Sequence, residues 1–179
     1  MKNILFFALA FVLFSCGDTN FQTIKIGSSF QMDVPDYMEE AYDLNADASL
    51  QYQNTVKETY VIVINEDKQE FIDIFKELGE YDESKSAVEN YTDIQTEYMS
   101  TTLTILDQNG PNSKKINGMD AMVLEYDGNT PAVAYDIFYY IAYIEGEEEM
   151  FMVMAWTLLD RKSEYKETFA KMVESFKEL

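Results

Sequence analysis

An α+β fold, in which an antiparallel β-sheet is sandwiched between helices (an α/β/α arrangement), is predicted by three observations on the chain. The first is a pair of apolar segments, Ala132–Ile144 (AVAYDIFYYIAYI) and Met150–Leu159 (MFMVMAWTLL). They flank Glu145-Gly146-Glu147-Glu148-Glu149, a polar, glycine-containing loop that suits a hairpin. Splitting the first segment by its period of two puts Val133, Tyr135, Ile137, Tyr139, Ile141 and Tyr143 on one face. The other face carries Ala134, Phe138, Tyr140, Ala142 and Ile144, with Asp136 as its one charge. The second segment divides into Met150, Met152, Met154, Trp156, Leu158 and Phe151, Val153, Ala155, Thr157, Leu159. All four faces are largely apolar, so each side of the sheet needs a cover. The second observation is a closing helix with Ser163 as its N-cap and Tyr165, Phe169, Met172, Val173 and Phe176 on one stripe. The third is a helical middle lying between two groups of strands, which is the natural second cover.

Taken in order, the chain opens on Met1-Lys2-Asn3 and the apolar run Ile4–Phe14, short for a bilayer span but suited to the core of a secretory signal. Leu13-Phe14-Ser15-Cys16-Gly17 resembles a bacterial lipobox: Leu three before the Cys, a small residue just before it, Gly after it. Phe14 is bulkier than the usual occupant of its place. The chain's single Cys falls at this spot, which favours a lipoprotein over an ordinary signal peptide with an incidental Cys. Residues 1–15 then form the signal, 16–20 a lipid-anchored tether, and 21–179 one domain. Signal peptidase II would cut between Ser15 and Cys16. Acyl chains on Cys16, at about 0.8 kcal/mol per buried CH₂, make a stable anchor when two or three are present.

Phe21–Ile26 and Ser29–Val34 alternate like short strands around Gly27; Pro35 ends the second, and Asp36–Ala41 is expected to form a helical turn. Ser49–Val56 and the β-branched Thr59–Asn65 follow as strands. Glu66-Asp67 begin a helix with Phe71, Ile74, Phe75 and Leu78 on its apolar side, closing at Gly79. Ser84 starts another, with Val88, Tyr91, Ile94 and Tyr98 at helical spacing. Leu103–Leu106 is extended, and Asn109-Gly110-Pro111-Asn112 reads as a turn. Asn117-Gly118 opens the strand Met119–Tyr126, and Asp127-Gly128-Asn129 turns the chain into the long hairpin.

Composition removes many chemistries. The chain has no His, and with it go the usual base at neutral pH, the usual zinc ligand and any Ser-His-Asp arrangement. One Cys excludes intramolecular disulfides. Thirty-three acids against thirteen bases give a formal charge of −20. Such a chain has no basic patch to bind nucleic acid by counterion release, so no nucleic-acid partner is expected. At 179 residues with 47% hydrophobic content, the domain has core enough to need no metal or disulfide staple.

An early strand ending at Pro35, a helical middle, Lys115-Ile116-Asn117-Gly118-Met119-Asp120-Ala121, a long aromatic hairpin and a last helix closing on Glu174-Ser175-Phe176-Lys177 occur together. This combination resembles the PsbP-like superfamily, which includes PsbP, the Mog-type regulators of a nuclear-transport GTPase and bacterial DcrB-type lipoproteins. The likeness spans about Phe21 to Leu179. It implies an α/β/α sandwich serving as a non-catalytic adaptor, with no cofactor and no enzyme activity.

Four groups invite a functional reading beside a structural one. Asp43-Leu44-Asn45-Ala46-Asp47-Ala48-Ser49 begins like a calcium loop, but Ala48 replaces the turn glycine and Asn54 stands where a bidentate Glu should close it, so a polar loop is favoured and no metal is assigned. Glu145, Glu147, Glu148 and Glu149 could hold a divalent cation or a basic partner; a solvated turn that discourages edge aggregation is favoured. Tyr135, Tyr139 and Tyr143 share a strand face that could line a ligand or partner groove; packing beneath helices is favoured. Trp156 and the Met150-Met152-Met154 ladder read as core. The carboxylate pairs Glu39-Glu40 and Asp120 with Glu125 are candidates for acid–base work that sequence cannot raise above the other acids. The expectation is thus an envelope lipoprotein of a diderm bacterium, held at a membrane (the outer membrane preferred), binding another envelope protein. The alternative is a lipoprotein that binds a small molecule or divalent cation.

Replacing the acylated residue tests the anchor. Cys16→Ser is expected to release the protein from membranes or stall its processing; unchanged membrane retention on fractionation would remove the lipid anchor.

Overall fold

Residues 19–131 and 133–179 are described in the computed structural model. Among them, β1 (Phe21–Ile26) and β2 (Phe30–Pro35) form a hairpin, followed by β3 (Glu39–Glu40), β4 (Leu50–Asn54) and β5 (Thr59–Asp67). Next come α1 (Lys68–Leu78), α2 (Ala87–Thr102), β6 (Thr104–Ile116) and β7 (Met119–Asn129). The chain ends on β8 (Ile137–Glu145), β9 (Glu149–Leu158), a 3-10 turn (Leu159–Arg161), α3 (Lys162–Ser175) and β10 (Lys177–Glu178). The strands make two antiparallel sheets, one ordered β1-β2-β10 and the other β3-β4-β5-β9-β8-β7-β6. The α+β prediction therefore holds, with the refinement that a second, small sheet joins α3 on one side.

The period-two reading of the hairpin matches the packing. Phe138, Tyr140, Ala142 and Ile144 of β8, with Phe151, Val153 and Ala155 of β9, bury against Tyr165, Phe169, Met172, Val173 and Phe176 and against Phe30, Met32 and Val34 of β2. The opposite face, Ile141, Tyr143, Met150 and Met152, packs under Phe71 of α1 and Val88, Tyr91 and Ile94 of α2. Both halves of the hairpin lie centrally in the seven-stranded sheet, where each ladder group has a neighbour on both sides. Three rings join the layers: Phe30, Phe151 and Phe176 sit with centroids 5.7, 5.2 and 4.9 Å apart. They come from the small sheet, the large sheet and the end of α3. Each ring covers the others' edges or faces, the favoured arrangements for aromatic pairs.

Local signals set the helix ends. The Asp67 carboxylate accepts from Glu70 N at 2.7 Å to cap α1, and Gly79, at φ +74°, closes it in the left-handed conformation that residues with a Cβ avoid. Ser86, not Ser84, caps α2 through a reciprocal box with Glu89. Ser163 caps nothing: the 3-10 turn runs straight into α3, whose N-cap position is Arg161. On α1, Phe71 is buried and Ile72 and Phe75 pack beside it, while Ile74 and Leu78 are exposed, as is Tyr98 on α2.

Three expected turns are something else. Residues 36–38 turn into the two-residue edge strand β3 instead of a helical turn. Asn109–Asn112 lies inside β6 as an irregularity in its register with β7, and Gly110 there takes φ +99°. Asp127–Asn129 continues β7, and β8 begins at Ile137, later than expected; Ala132, the expected start, lies outside the described residues. Cross-strand pairing decided these cases over turn propensity.

One carboxylate is carried under the helices. Glu66 faces Met150 across β5 and β9, and its burial holds the carboxyl above the usual carboxylate range. The neighbouring Tyr91 hydroxyl, which makes no hydrogen bond of standard geometry, opposes the rise, and Glu70 adds to it. Gln95 Nε2 donates to Glu66 Oε1 at 3.4 Å. A carboxyl whose folded pKa is raised binds its proton more tightly in the folded chain. Stability then falls as pH rises from the ordinary carboxylate range through the raised value.

Two measurements check this account. In urea unfolding, Phe176→Ala should lose about 3–5 kcal/mol and Ser86→Ala about 1 kcal/mol. A loss below about 1 kcal/mol for Phe176→Ala would show that the three rings do not join the layers. Glu66→Gln should melt above the parent at pH 7, the gap closing as pH falls below the ordinary carboxylate range; a lower Tm at pH 7 would contradict the burial argument.

Candidate functional site

Ser15 and Cys16 lie outside the described residues. Tyr139 and Tyr143 share a face of β8 as the alternation requires, whereas Tyr135 lies ahead of the strand, and the three do not form one surface. Tyr143 is fully buried, its ring meeting Tyr91 edge-on at 5.6 Å. Tyr135 precedes β8 and is 65% exposed, beside Leu158, Leu159 and Asp160 in a shallow depression. Tyr139, between them, is half-buried and lines a groove.

That groove is the strongest candidate site. Its floor is Tyr139 of β8 and Met154 of β9. One wall is the end of α2, with Met99, Thr101 and Thr102, then Leu103; the other is Thr130 and Pro131 of the β7–β8 connection. Its volume is about 620 Å³, within the range of small-ligand and peptide pockets. Register explains the floor. Tyr60, Trp156, Tyr139 and Tyr126 stand abreast on four adjacent strands, β5, β9, β8 and β7. Tyr126 is sealed beneath α2, its hydroxyl 3.4 Å from Thr96 Oγ1. Tyr139, Trp156 and Tyr60 are only half-buried, and the Tyr60 and Trp156 rings stack at 5.3 Å and 12°. Burial raises the Tyr139 phenol, and burial with the nearby Glu58 raises Tyr60, so both remain neutral hydrogen-bond donors near pH 7. The groove can therefore take an apolar or aromatic group and offer hydroxyls at its rim. Trp156, expected in the core, is part of this platform; the signal for it was the aromatic cross-strand partner on either side, readable only once the register is known.

The other candidates have structural roles. In the 43–49 loop, Leu44 N and Asn45 N donate to Gln51 Oε1 at 2.9 and 3.1 Å, and Asn45 Oδ1 accepts from Asp47 N at 2.8 Å. Asn54 donates to Tyr37 O at 2.6 Å and accepts from Lys57 N at 2.8 Å. Among the described residues no group of three or more acidic or thiol side chains is placed to hold a metal ion. Glu39 and Glu40 are exposed on the edge strand β3. Asp120 and Glu125 lie on opposite faces of β7, paired with Lys115 at 2.7 Å and Lys166 at 2.7 Å.

The hairpin tip differs from the expected solvated turn. Glu147 and Glu148 are exposed, but Glu145 accepts from Val88 N at 3.2 Å, at the start of α2, and lies 3.5 Å from Lys68. Glu149 accepts from Ser29 Oγ and, at 2.6 Å, from Asn65 Nδ2. Lys68 Nζ donates to Gly146 O at 2.9 Å. A side chain at Gly146 would meet the Phe151 ring at 2.7 Å, which explains glycine there. The tip ties α1, α2 and the small sheet together between central strands, so it guards no edge.

No protein-family model matches the chain, and no curated protein matches it in sequence. Solved structures do. The cyanobacterial PsbP (CyanoP) of Synechocystis sp. PCC 6803 aligns with a TM-score of 0.58 at 12% identity, over 92% of this chain and 96% of its own. The Ran-binding protein Mog1p of Saccharomyces cerevisiae aligns with a TM-score of 0.52 at 13% identity, over 89% and 96%. LpqN of Mycobacterium tuberculosis, described as involved in cell envelope biogenesis, aligns with a TM-score of 0.50 at 10% identity, over 90% and 92%. At these identities the likeness is one of architecture: the chain has the PsbP/Mog1-like α+β fold.

Proposed function

We propose that the chain is a cell-envelope lipoprotein of a diderm bacterium, acylated at Cys16 and held at the outer membrane. Its domain works without catalysis, as an accessory or assembly factor that binds another envelope protein through the Tyr139–Met154 groove and the adjoining Tyr60–Trp156 stack. The observation that carries the binding reading is this half-covered aromatic platform on a chain of formal charge −20. A half-covered aromatic surface gains the rest of its burial energy only when another molecule covers it. The anchor reading rests on the Leu13–Gly17 pattern and the single Cys. It is compatible with the described helices, none of which is long and apolar enough to cross a membrane. Two structural neighbours support the reading by analogy of fold: one binds a protein, Ran, and the other is involved in envelope biogenesis. Among PsbP-like proteins, the DcrB-type bacterial lipoproteins combine such a domain with a lipid anchor.

The groove volume favours a second reading, a small-molecule carrier of the envelope. One set of measurements separates the two. Cross-linked affinity capture with the tagged, lipidated chain should enrich a single envelope protein, and Thr102→Arg, at the exposed rim of the groove, should abolish that enrichment. Emission from Trp156, the chain's one tryptophan, should shift when the purified partner is added. Equal capture by Thr102→Arg would exclude the groove as the binding surface. Absence of any partner, with a Trp156 shift on titrating a small apolar compound, would favour the carrier.

A further inference from the structure

The two ends of the large sheet differ in kind. At one end the hairpin tip, the 27–29 turn and the C-terminus meet: Glu147 N donates to Glu178 Oε2 at 2.7 Å, and Leu179 N to Ser29 O at 2.9 Å. This end exposes Glu147, Glu148 and Leu179. The opposite end is where the described chain enters the fold. Asp36 N donates to Asn20 O at 2.9 Å, which fixes the residue just ahead of β1. Asn54 Nδ2, on Tyr37 O, holds the β4–β5 turn beside that point, with Lys57 Nζ 5.1 Å from the Tyr37 ring. Arg161 Nη1 donates to Lys57 O at 3.1 Å, and Leu159 N to Asp136 O at 2.9 Å. These contacts gather the β4–β5 turn, the β7–β8 connection and the 3-10 turn at the pole where the chain enters. The same pole carries three apolar side chains in solvent: Val56, 86% exposed, Tyr135, 65%, and Val133, 40%.

We propose that this pole is a membrane-facing surface, which Cys16 holds against the bilayer while the Glu-rich tip points away. The proposal rests on the lipoprotein reading above. Cys16 lies five residues before Phe21, so their Cα atoms are at most about 18 Å apart. A bilayer holding the acyl chains is thus within reach of the pole where Phe21 begins. Val56, Val133 and Tyr135 then meet the boundary between headgroups and acyl chains, where apolar side chains and amphipathic tyrosine rings are favoured. Charge is compatible with the same orientation. The acids of this pole, Asp36, Asp136, Asp160 and Glu164, are interspersed with Lys57 and with the Arg161–Glu58 and Lys162–Asp127 ion pairs. The tip exposes carboxylates in a row, which an anionic surface repels within a screening length of about 8 Å. β9 runs from tip to pole over ten residues, which separates the two by about 30 Å. The groove, walled by the end of α2 and by Thr130 and Pro131, lies towards the membrane pole. Its protein occupant is therefore a membrane-proximal segment.

Single-cysteine variants of the full lipidated chain test this in vesicles of phosphatidylethanolamine and phosphatidylglycerol. Cys16 is acylated, so Val56→Cys, Tyr135→Cys and Glu148→Cys each add one reactive thiol, at an exposed position. Each is labelled with an environment-sensitive fluorophore, and a lipid spin-labelled near its headgroup is the quencher. The expected result is at least twofold quenching at positions 56 and 135, with none at 148. Equal quenching at all three, or stronger quenching at 148, in protein that floats with the vesicles would overturn the orientation and leave the anchor standing. Protein that fails to float would overturn the anchor, and the orientation with it.

Discussion

Two-sided burial of the β8–β9 hairpin is the constraint from which the rest of the architecture follows. Strands apolar on both faces cannot lie at an edge or leave a face to water. They occupy the middle of the seven-stranded sheet, with α1 and α2 on one face and α3 and the β1–β2 hairpin on the other. Ile141, Tyr143, Phe151 and Val153 have little or no contact with solvent as a result. The small sheet is a consequence too: α3 alone does not cover that face, and Phe30, Met32 and Val34 complete it.

The two ends of this hairpin have been put to different use. At the tip, acids that look like surface decoration in sequence serve as hydrogen-bond acceptors for the start of α2, for Ser29 and for Asn65. At the other end cover runs out. α1 is short and buries only Phe71, and α2 stops at Thr102, so Tyr60, Trp156 and Tyr139 emerge beyond the helices. A platform is left where packing ends, and it is floored by strands whose positions are set by neighbours on both sides. Rigidity of that kind suits recognition, because little order has to be gained on binding.

The structural neighbours fit the same logic. Identities of 10–13% over about nine-tenths of the chain are compatible with a shared fold because cores tolerate wide substitution when pattern and volume are kept. What such neighbours share is the layering, whereas function resides in the surfaces each chain builds on it.

Sequence by itself determined the periodicities: the two apolar faces of the hairpin, the stripe of α3, the Asp67 and Gly79 ends of α1, and the absence of histidine chemistry. These are local or compositional properties, legible without knowing what touches what. Tertiary structure decided whatever depended on pairing. Register carried Asp127–Asn129 and Asn109–Asn112 into strands despite their turn chemistry, because ladder bonds to β7 and β8 outweigh the preference of three or four residues. It also separated the three tyrosines. Alternation expects Tyr135, Tyr139 and Tyr143 on one face, but Tyr135 falls before β8 and stays at the surface, while the length and placement of α2 make Tyr143 core and leave Tyr139 in the groove. Trp156 changed from core to platform for the same reason: a side chain's face is written in its own strand, and its cover is supplied by residues far away in the chain.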